Sequence, residues 1–203
     1  MSQDKPSRLD VYLQEYEKLK DEQTSWIGFR DNLLYVNLAA IGGILAFVFS
    51  KESSGDAPNY TALLIIPWVS VILGWTYLIN DDKISCLGNY FKKKLADSIQ
   101  TELQGSQLQE DELRDESLFA WEEFNRTSKR RIRRKIVQLL IDEMAFVVPG
   151  ILSVIAFSRL GGTMIDPLVQ ILCWIEFLIV IALGIEIFVY AEPWNFFKTD
   201  HSS

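Results

Sequence analysis

Four carboxylic acids and one asparagine lie inside long apolar stretches of this sequence, where they could act on an ion. An ionised side chain costs about 2.5–3.5 kcal/mol at the centre of a membrane-spanning helix, so it usually faces a helix-bundle interior or a water path. No Lys, Arg or His lies in the same stretches to neutralise the acids. Rings of carboxylates commonly line cation pathways. The candidate pore- or cation-lining residues are therefore Asn37, Asp142, Glu143, Glu176 and Glu186.

The same acids also have a structural interpretation. Asp142, Glu143 and Glu186 lie near the ends of their apolar stretches, where acids can be paired or protonated close to the membrane interface. Glu176 is the ninth residue of its stretch and lies deeper, where a protonated carboxyl group can bond to a neighbouring helix. The residue types thus leave an ion pathway and interhelical bonding open.

The sequence has four apolar stretches of 18 to 23 residues, and three of them contain these groups. A hydrocarbon core about 30 Å thick needs roughly 20 apolar residues of helix, so each stretch is long enough to span it. We expect an all-α fold, namely a polytopic membrane protein with four transmembrane helices and a helical cytoplasmic stalk. The stretches are residues 33–50, 61–79, 136–157 and 168–190.

The basic residues predict the orientation of these helices. Of the 20 Lys and Arg residues, 18 lie in segments 1–31 and 80–135 or in the C-terminal tail. The two other connections, 51–60 and 158–167, hold one each. Cytoplasmic loops carry the excess of Lys and Arg in membrane proteins. We therefore expect both termini in the cytoplasm of a multi-pass protein of the cell inner (plasma) membrane.

The chain divides into five predicted segments that alternate between membrane and cytoplasm. They are an N-terminal cytoplasmic amphipathic helix (1–31), transmembrane hairpin 1 (32–80), a cytoplasmic helical stalk (81–135), transmembrane hairpin 2 (136–190) and a cytoplasmic tail (191–203).

The N-terminal segment has a helix-start signal, because Ser7 is followed three residues later by Asp10. Residues at alternating spacings of three and four then form an apolar stripe. This stripe predicts packing on the protein's own cytoplasmic helices, association between subunits, or binding at the lipid interface. Its members are Leu9, Tyr12, Tyr16, Leu19, Gln23 and Trp26.

The stalk is predicted to contain two helices. The second membrane helix continues inward to about Leu103, because apolar residues keep recurring every three to four positions, and residues 104–107 (QGSQ) break it. A further helix capped by Ser117 carries Trp121 and Phe124 towards the third apolar stretch.

A basic cluster lies directly before the third apolar stretch, with six charged residues in seven positions. It anchors the topology by binding lipid phosphates, or it binds an anionic ligand such as a nucleotide or oligonucleotide at the cytoplasmic side. Its residues are Lys129, Arg130, Arg131, Arg133, Arg134 and Lys135.

Small residues in the first apolar stretch predict close helix packing, within a subunit or between subunits. Ala39 and Gly43 form one small-x-x-x-small pair, and Gly42 and Ala46 form the other. In the third stretch, Pro149 removes one backbone hydrogen bond and permits a kink.

Catalytic chemistry is not indicated. The only His lies in the tail, and the sequence has no Gly-rich phosphate loop and no Cys or His cluster. We therefore predict no enzyme activity, no metal site and no cofactor.

Residues 29–35 (FRDNLLY), followed by residues 38–43 (LAAIGG), resemble the start of a family of small bacterial four-helix integral membrane proteins with no assigned activity. The layout of the whole chain also resembles that of membrane effectors of anti-phage (antiviral) defence, such as the Hailong effector. In that class a small helical protein oligomerises and opens or disrupts the inner membrane, and the Hailong effector is gated by a DNA-like oligonucleotide. This resemblance implies a ligand-gated defence effector.

The sequence therefore favours a homo-oligomeric membrane channel or pore in the lipid bilayer. The alternative is a membrane-anchored interaction or scaffold protein whose cytoplasmic stalk binds a partner.

Overall fold

The computed structural model describes residues 7–50, 59–105, 131–160 and 166–191, and the chain is helical throughout these ranges, without a β-strand. Four of the described helices are long and apolar enough to cross a membrane, as judged by length and composition. They cover Arg8–Ser50, Tyr60–Glu102, Arg133–Leu160 and Pro167–Tyr190. The all-α class and the four membrane-length helices are thus confirmed.

Two of the four long helices contain a π-helical turn. The elements are α1 (Arg8–Ser50), a 3₁₀ turn (Tyr60–Leu64), α2 (Ile65–Tyr90), a π turn (Phe91–Leu95), α3 (Ala96–Gly105), α4 (Arg131–Asp142), a π turn (Glu143–Val147), α5 (Val148–Leu160) and α6 (Pro167–Tyr190). A π turn leaves part of the regular backbone ladder without its normal partner and is often found at functional positions.

Two helix starts follow directly from local sequence. At α1 the backbone N–H of Ser7 donates to the Asp10 carboxylate at 3.0 Å, and the N–H of Asp10 donates to the Ser7 hydroxyl at 3.1 Å. At α6 the Asp166 carboxylate accepts the N–H of Leu168 at 3.0 Å, and Pro167 occupies the first helical position, where no N–H is needed. The predicted capping pair of Ser7 and Asp10 is therefore confirmed.

The inward extension of the second long helix is also confirmed. The helix continues through the π turn into α3, which is described as far as Gly105. Residues 106–130, which include the predicted loop and the predicted helix with Ser117, Trp121 and Phe124, lie outside the described residues.

The chain forms two compact units. The first unit lies within Met1–Phe29 and Asn80–Arg131, and the second within Arg30–Ile79 and Ile132–Ser203. α1 and the run from Tyr60 to Gly105 each contribute to both units.

In the first unit, the start of α1 runs antiparallel to the end of α2 and the following turn. The Tyr90 hydroxyl donates to the Glu15 carboxylate at 2.6 Å, and the Gln23 amide donates to the Ile84 carbonyl at 3.3 Å. Tyr90 lies beyond the apolar stretch that ends at residue 79, and its bond to Glu15 raises the pKa of the phenol.

The core of the first unit consists of Phe91, Leu95 and Ile99, each at most 2% exposed. The stripe residues of α1 pack against this core, and Tyr16 meets the Phe91 ring edge-on at 5.4 Å. The structure thus shows the first of the three interpretations of the stripe, packing on the protein's own helices. The residues involved are Leu9, Tyr12, Tyr16 and Leu19.

The second unit has two adjoining apolar clusters. The larger is built around Phe146, Val180 and Leu183, which are fully buried, and the smaller around Val48 and Phe157. Much of the surface of this unit is apolar, as shown by Leu178 and Trp174 at 62% exposure. Of the two free cysteines, Cys86 is exposed in the first unit and Cys173 is buried in the second.

Candidate functional site

Asn37 of α1 is fully buried in the second unit and bonds to the backbone of the third long helix. Its side-chain Nδ2 donates to the Ala145 carbonyl at 2.6 Å. In an α-helix that carbonyl would accept the N–H of the residue four positions later, which here is Pro149. Proline has no N–H, so the Asn37 amide supplies a donor that the helix itself lacks at this position.

Ser70 of α2 extends this contact towards a third helix. Its hydroxyl lies 3.4 Å from the Asn37 Oδ1 atom and is fully buried. A hydroxyl hydrogen bond is normally shorter than about 3.0 Å, so this is a weak contact that mainly orients the amide. α1, α2 and the π turn before α5 thus meet around one amide group.

Glu176 of α6 lies close to the centre of the fourth long helix and is 2% exposed. Its Oε1 atom accepts the indole N–H of Trp68 at 2.8 Å. Its Oε2 atom is also buried and has no hydrogen-bond partner among the described residues. The carboxyl group therefore joins α2 to α6 with one of its two oxygens.

Asp142 is the third buried polar member of the predicted set, at 7% exposure. Gln138, one turn earlier on α4, donates its amide to the Asp142 carboxylate at 3.0 Å and also contacts the hydroxyl of Tyr77. The guanidinium of Arg30 lies over the Tyr77 ring at 5.8 Å, within the usual range of a cation–π interaction. These residues place a polar network at one end of the second unit.

The two remaining acids are more accessible. Glu143 is half-buried, and its Oε2 atom lies 3.4 Å from the position that a Cβ atom on Gly184 would occupy. Glu186, two residues further along α6, is exposed on the surface of the single chain. The five predicted lining residues therefore fall into a buried group of three, a half-buried acid and an exposed acid.

Glycines allow the close approach of the helices that carry these groups. A Cβ atom on Gly74 of α2 would lie 2.8 Å from Leu183 of α6, and one on Gly150 of α5 would lie 3.0 Å from Val180. Both contacts are tighter than ordinary van der Waals distances. Only glycine fits the present spacing of these helices without a shift of its neighbours.

The predicted packing residues of α1 behave differently. Ala39, Gly42, Gly43 and Ala46 are exposed, and a Cβ atom on either glycine would meet nothing within 4 Å. In the described part of the chain, this face is therefore not used for packing within the subunit.

The basic cluster is only partly described. Lys129 and Arg130 lie outside the described residues, and the side chain of Arg131 is likewise not described. Arg133 and Arg134 are exposed at the start of α4, and Lys135 is half-buried. The described cations thus lie about two to two and a half helical turns before Asp142, and about one turn before its partner Gln138.

The described residues contain no group of three or more His, Cys, Asp or Glu side chains that could hold a metal ion. Asn37, Asp142 and Glu176 were predicted from the sequence. Trp68, which bonds to Glu176, Ser70, which contacts Asn37, and Tyr77, which reaches Asp142 through Gln138, were not predicted. One signal was available, since Pro149 marks the carbonyl four residues earlier as needing an outside donor. Nothing in the sequence paired Trp68 with Glu176.

In comparisons with known proteins, no family model, no curated protein and no solved structure matches this chain.

Proposed function

We propose that the protein is a multi-pass protein of a bacterial inner membrane, with cytoplasmic termini, that works as a homo-oligomeric channel or pore. Exposed Glu186 is the observation that carries this proposal. It lies four residues before the end of α6, about 6 Å along the helix. A carboxylate facing lipid is unfavourable, so a second copy or a water-filled path would cover it.

Glu143 supports the same location for the ion path. It approaches α6 at Gly184, close in sequence to Glu186. In a closed ring of identical subunits, both acids would be repeated around the axis. Such a ring attracts cations, so the proposed channel is cation-selective.

The exposed small face of α1 supports assembly. Gly42 and Gly43 have open space beside them in the single chain, and small residues allow two helix backbones to approach closely in a membrane. We assign this face to contacts between subunits.

The basic cluster is the proposed gating region. Arg133 and Arg134 are exposed at the start of α4, on the same continuous helix as Glu143. An anionic nucleotide or oligonucleotide bound by these cations would act on the helix that carries one of the proposed lining acids. As an effector of anti-phage defence, the protein would open in response to such a ligand. We propose no enzymatic activity.

The test is a conductance measurement on the purified protein in planar bilayers, with and without a short single-stranded DNA oligonucleotide. Glu186→Gln removes the proposed ring charge, so we expect it to lower the selectivity for K⁺ over Cl⁻. Glu176→Gln is the matched control, because it neutralises a buried acid on the same helix and keeps a group that accepts the Trp68 N–H.

Two outcomes would contradict the proposal. Absence of conductance both for the protein alone and for the protein with the oligonucleotide would argue against a channel. Loss of selectivity in Glu176→Gln, with normal selectivity in Glu186→Gln, would move the path from the subunit surface to the subunit interior.

The second candidate is a membrane-anchored interaction protein. It is favoured by the hydrogen bonds of Asn37, Asp142 and Glu176, each of which is made within one chain. These three groups then act as bonds between helices, and the first unit binds a partner. If the protein is a monomer in lipid nanodiscs and Glu186→Gln binds its partner as the wild type does, this candidate is supported over the channel.

A further inference from the structure

We propose that Asn37 is a latch on the third long helix: its amide replaces the backbone N–H that Pro149 lacks and thereby fixes the π turn Glu143–Val147. The inference concerns the conformation of the second unit and does not depend on the channel proposal. The acidic pair of Asp142 and Glu143 lies at the start of this turn, so the latch controls where these acids are held.

The third long helix lacks one backbone donor, at position 149. Residue 149 is the α-helical partner of the Ala145 carbonyl, and proline cannot donate. Ala145 is 5% exposed, so water does not replace that donor easily. A buried carbonyl without a partner is unfavourable, and hydrocarbon around the helix increases the cost.

The Asn37 side chain has the position and orientation to replace this donor. Asn37 is fully buried, and its Nδ2 atom lies 2.6 Å from the Ala145 oxygen. The amide orientation follows from this contact, because only the NH₂ group can donate to a carbonyl. Ser70 lies beside the amide oxygen and favours the same orientation.

The contact from Asn37 lies within the π turn of the third long helix, four residues before the proline. The π turn ends two residues before Pro149, and Val148 donates its N–H to the Glu143 carbonyl, five residues earlier. A π turn followed by proline weakens the backbone ladder over one short segment, which is where a helix bends most easily. Asn37 fastens this segment to α1, whose backbone around Asn37 is continuous helix.

A latch of this kind differs from an ordinary polar contact in one measurable respect. Pro149→Ala restores an N–H at position 149, which can donate to the Ala145 carbonyl. The bond from Asn37 then becomes redundant. The stability cost of removing Asn37 must therefore fall when Pro149 is replaced, whereas an ordinary contact costs the same in both backgrounds.

The experiment is a double-mutant cycle with Asn37→Leu, Pro149→Ala and the double variant, measured by reversible unfolding in detergent micelles. In the wild-type background we expect Asn37→Leu to raise the unfolding equilibrium constant about three- to twenty-fold, the range of hydrogen bonds between membrane helices. In the Pro149→Ala background we expect a change of less than about two-fold, because the carbonyl keeps a donor.

Ser153→Ala is the matched control. The Ser153 hydroxyl is buried and donates to the Gly150 carbonyl at 2.8 Å, on the same helix. The α-helical partner of that carbonyl is Val154, which has its own N–H. The cost of Ser153→Ala should therefore be the same with Pro149 and with Ala at position 149, which separates the latch from a general stiffening of the helix.

Hydrogen–deuterium exchange supplies a second readout. Exchange of the Val147 and Val148 amides should accelerate in Asn37→Leu and return towards the wild-type rate in the double variant. Equal costs in both backgrounds, or coupling of the same size for Ser153→Ala, would overturn the latch. If Asn37→Leu does not accumulate as folded protein, recovery of folded protein in the double variant supports the latch, and no recovery refutes it.

Discussion

The two units of the molecule differ in the balance of polar and apolar side chains that they bury and expose. In the first unit the core is apolar, with Phe91 and Leu95 fully buried, although Asn80 is also buried, and the neighbouring residues Lys92, Lys93 and Lys94 are exposed. In the second unit the interior holds buried Asn37, Ser70 and Glu176, and the surface carries large apolar side chains such as Leu178. The apolar surface of the second unit is consistent with the proposed membrane location, and the exposed lysines of the first unit are consistent with the proposed cytoplasmic one.

The forces that hold the units together should differ for the same reason. Burial of apolar surface stabilises helices in water, whereas lipid tails are as apolar as the side chains that they cover. Helices in a membrane therefore associate through close packing and through polar bonds. The second unit shows both, in the tight contact of Gly74 with Leu183 and in the bond from Trp68 to Glu176.

The largest expected effect comes from removing one fully buried phenylalanine in each unit. Phe91→Ala should destabilise the first unit by about 3–5 kcal/mol, because it loses burial from water and leaves a cavity. Phe146→Ala should cost clearly less, because only packing is lost when the unfolded reference is already in an apolar medium. Native-state hydrogen exchange of amides in each unit measures both costs. Equal costs would show that the second unit also folds by burial from water.

Introducing one charge on each surface is a more direct test. Leu178 lies at the middle of α6, and Leu178→Asp should cost about 2.5–3.5 kcal/mol of membrane insertion if hydrocarbon surrounds it. Val11 of the first unit is also exposed, and Val11→Asp should change stability by less than about 0.5 kcal/mol. The fraction of each variant that resists alkaline extraction from membranes provides the measurement. Normal insertion of Leu178→Asp would contradict the proposed location of α6.

Glycine substitutions sharpen the comparison within the second unit. Gly74→Val should destabilise the subunit by about 1–3 kcal/mol, because the added atoms clash with Leu183. Gly42→Val meets open space in the single chain and should leave subunit unfolding nearly unchanged. In the proposed oligomer, Gly42→Val should instead lower the subunit count measured in nanodiscs. Unfolding in detergent and particle counting separate the two effects, and an unchanged count would exclude this face as the interface.

The smallest effects are expected at the helix starts, where the two units should not differ. Ser7→Ala and Asp166→Ala each remove one capping acceptor at an exposed position, and each should cost about 1 kcal/mol. Both caps are exposed, so neither cost should depend on hydrocarbon. Amide exchange in the first turn of α1 and of α6 reports the fraying, and a much larger cost at Asp166 would place that cap in an apolar setting.

The fold was predictable from local patterns. Apolar stretches of membrane length predicted the four long helices, Ser7 and Asp10 predicted the start of α1, and the recurring apolar residues after residue 80 predicted the extension into α3. Each of these signals acts within a few residues or within one helix. Such local signals predict the folded structure well because they do not depend on contacts with other helices.

The partners within the candidate site were not predictable in the same way. Trp68 and Glu176 are 108 positions apart, as are Asn37 and Ala145. Which side chains meet depends on the rotation of each helix about its axis, and uniformly apolar helices such as α6 carry little periodic signal for that rotation. The predicted lining role of the acids stays a prediction, although the structure separates the buried group from exposed Glu186.

The contrast between the two cysteines has a practical consequence for chemical labelling. Cys86 is exposed and Cys173 is buried, so a membrane-impermeant maleimide should modify one thiol per chain without any engineered cysteine. In right-side-out spheroplasts the proposed orientation keeps Cys86 unmodified until the membrane is permeabilised. In inverted vesicles the same reagent should react at once. Labelling of Cys86 thus reports on which side of the membrane the first unit lies, without any engineered residue.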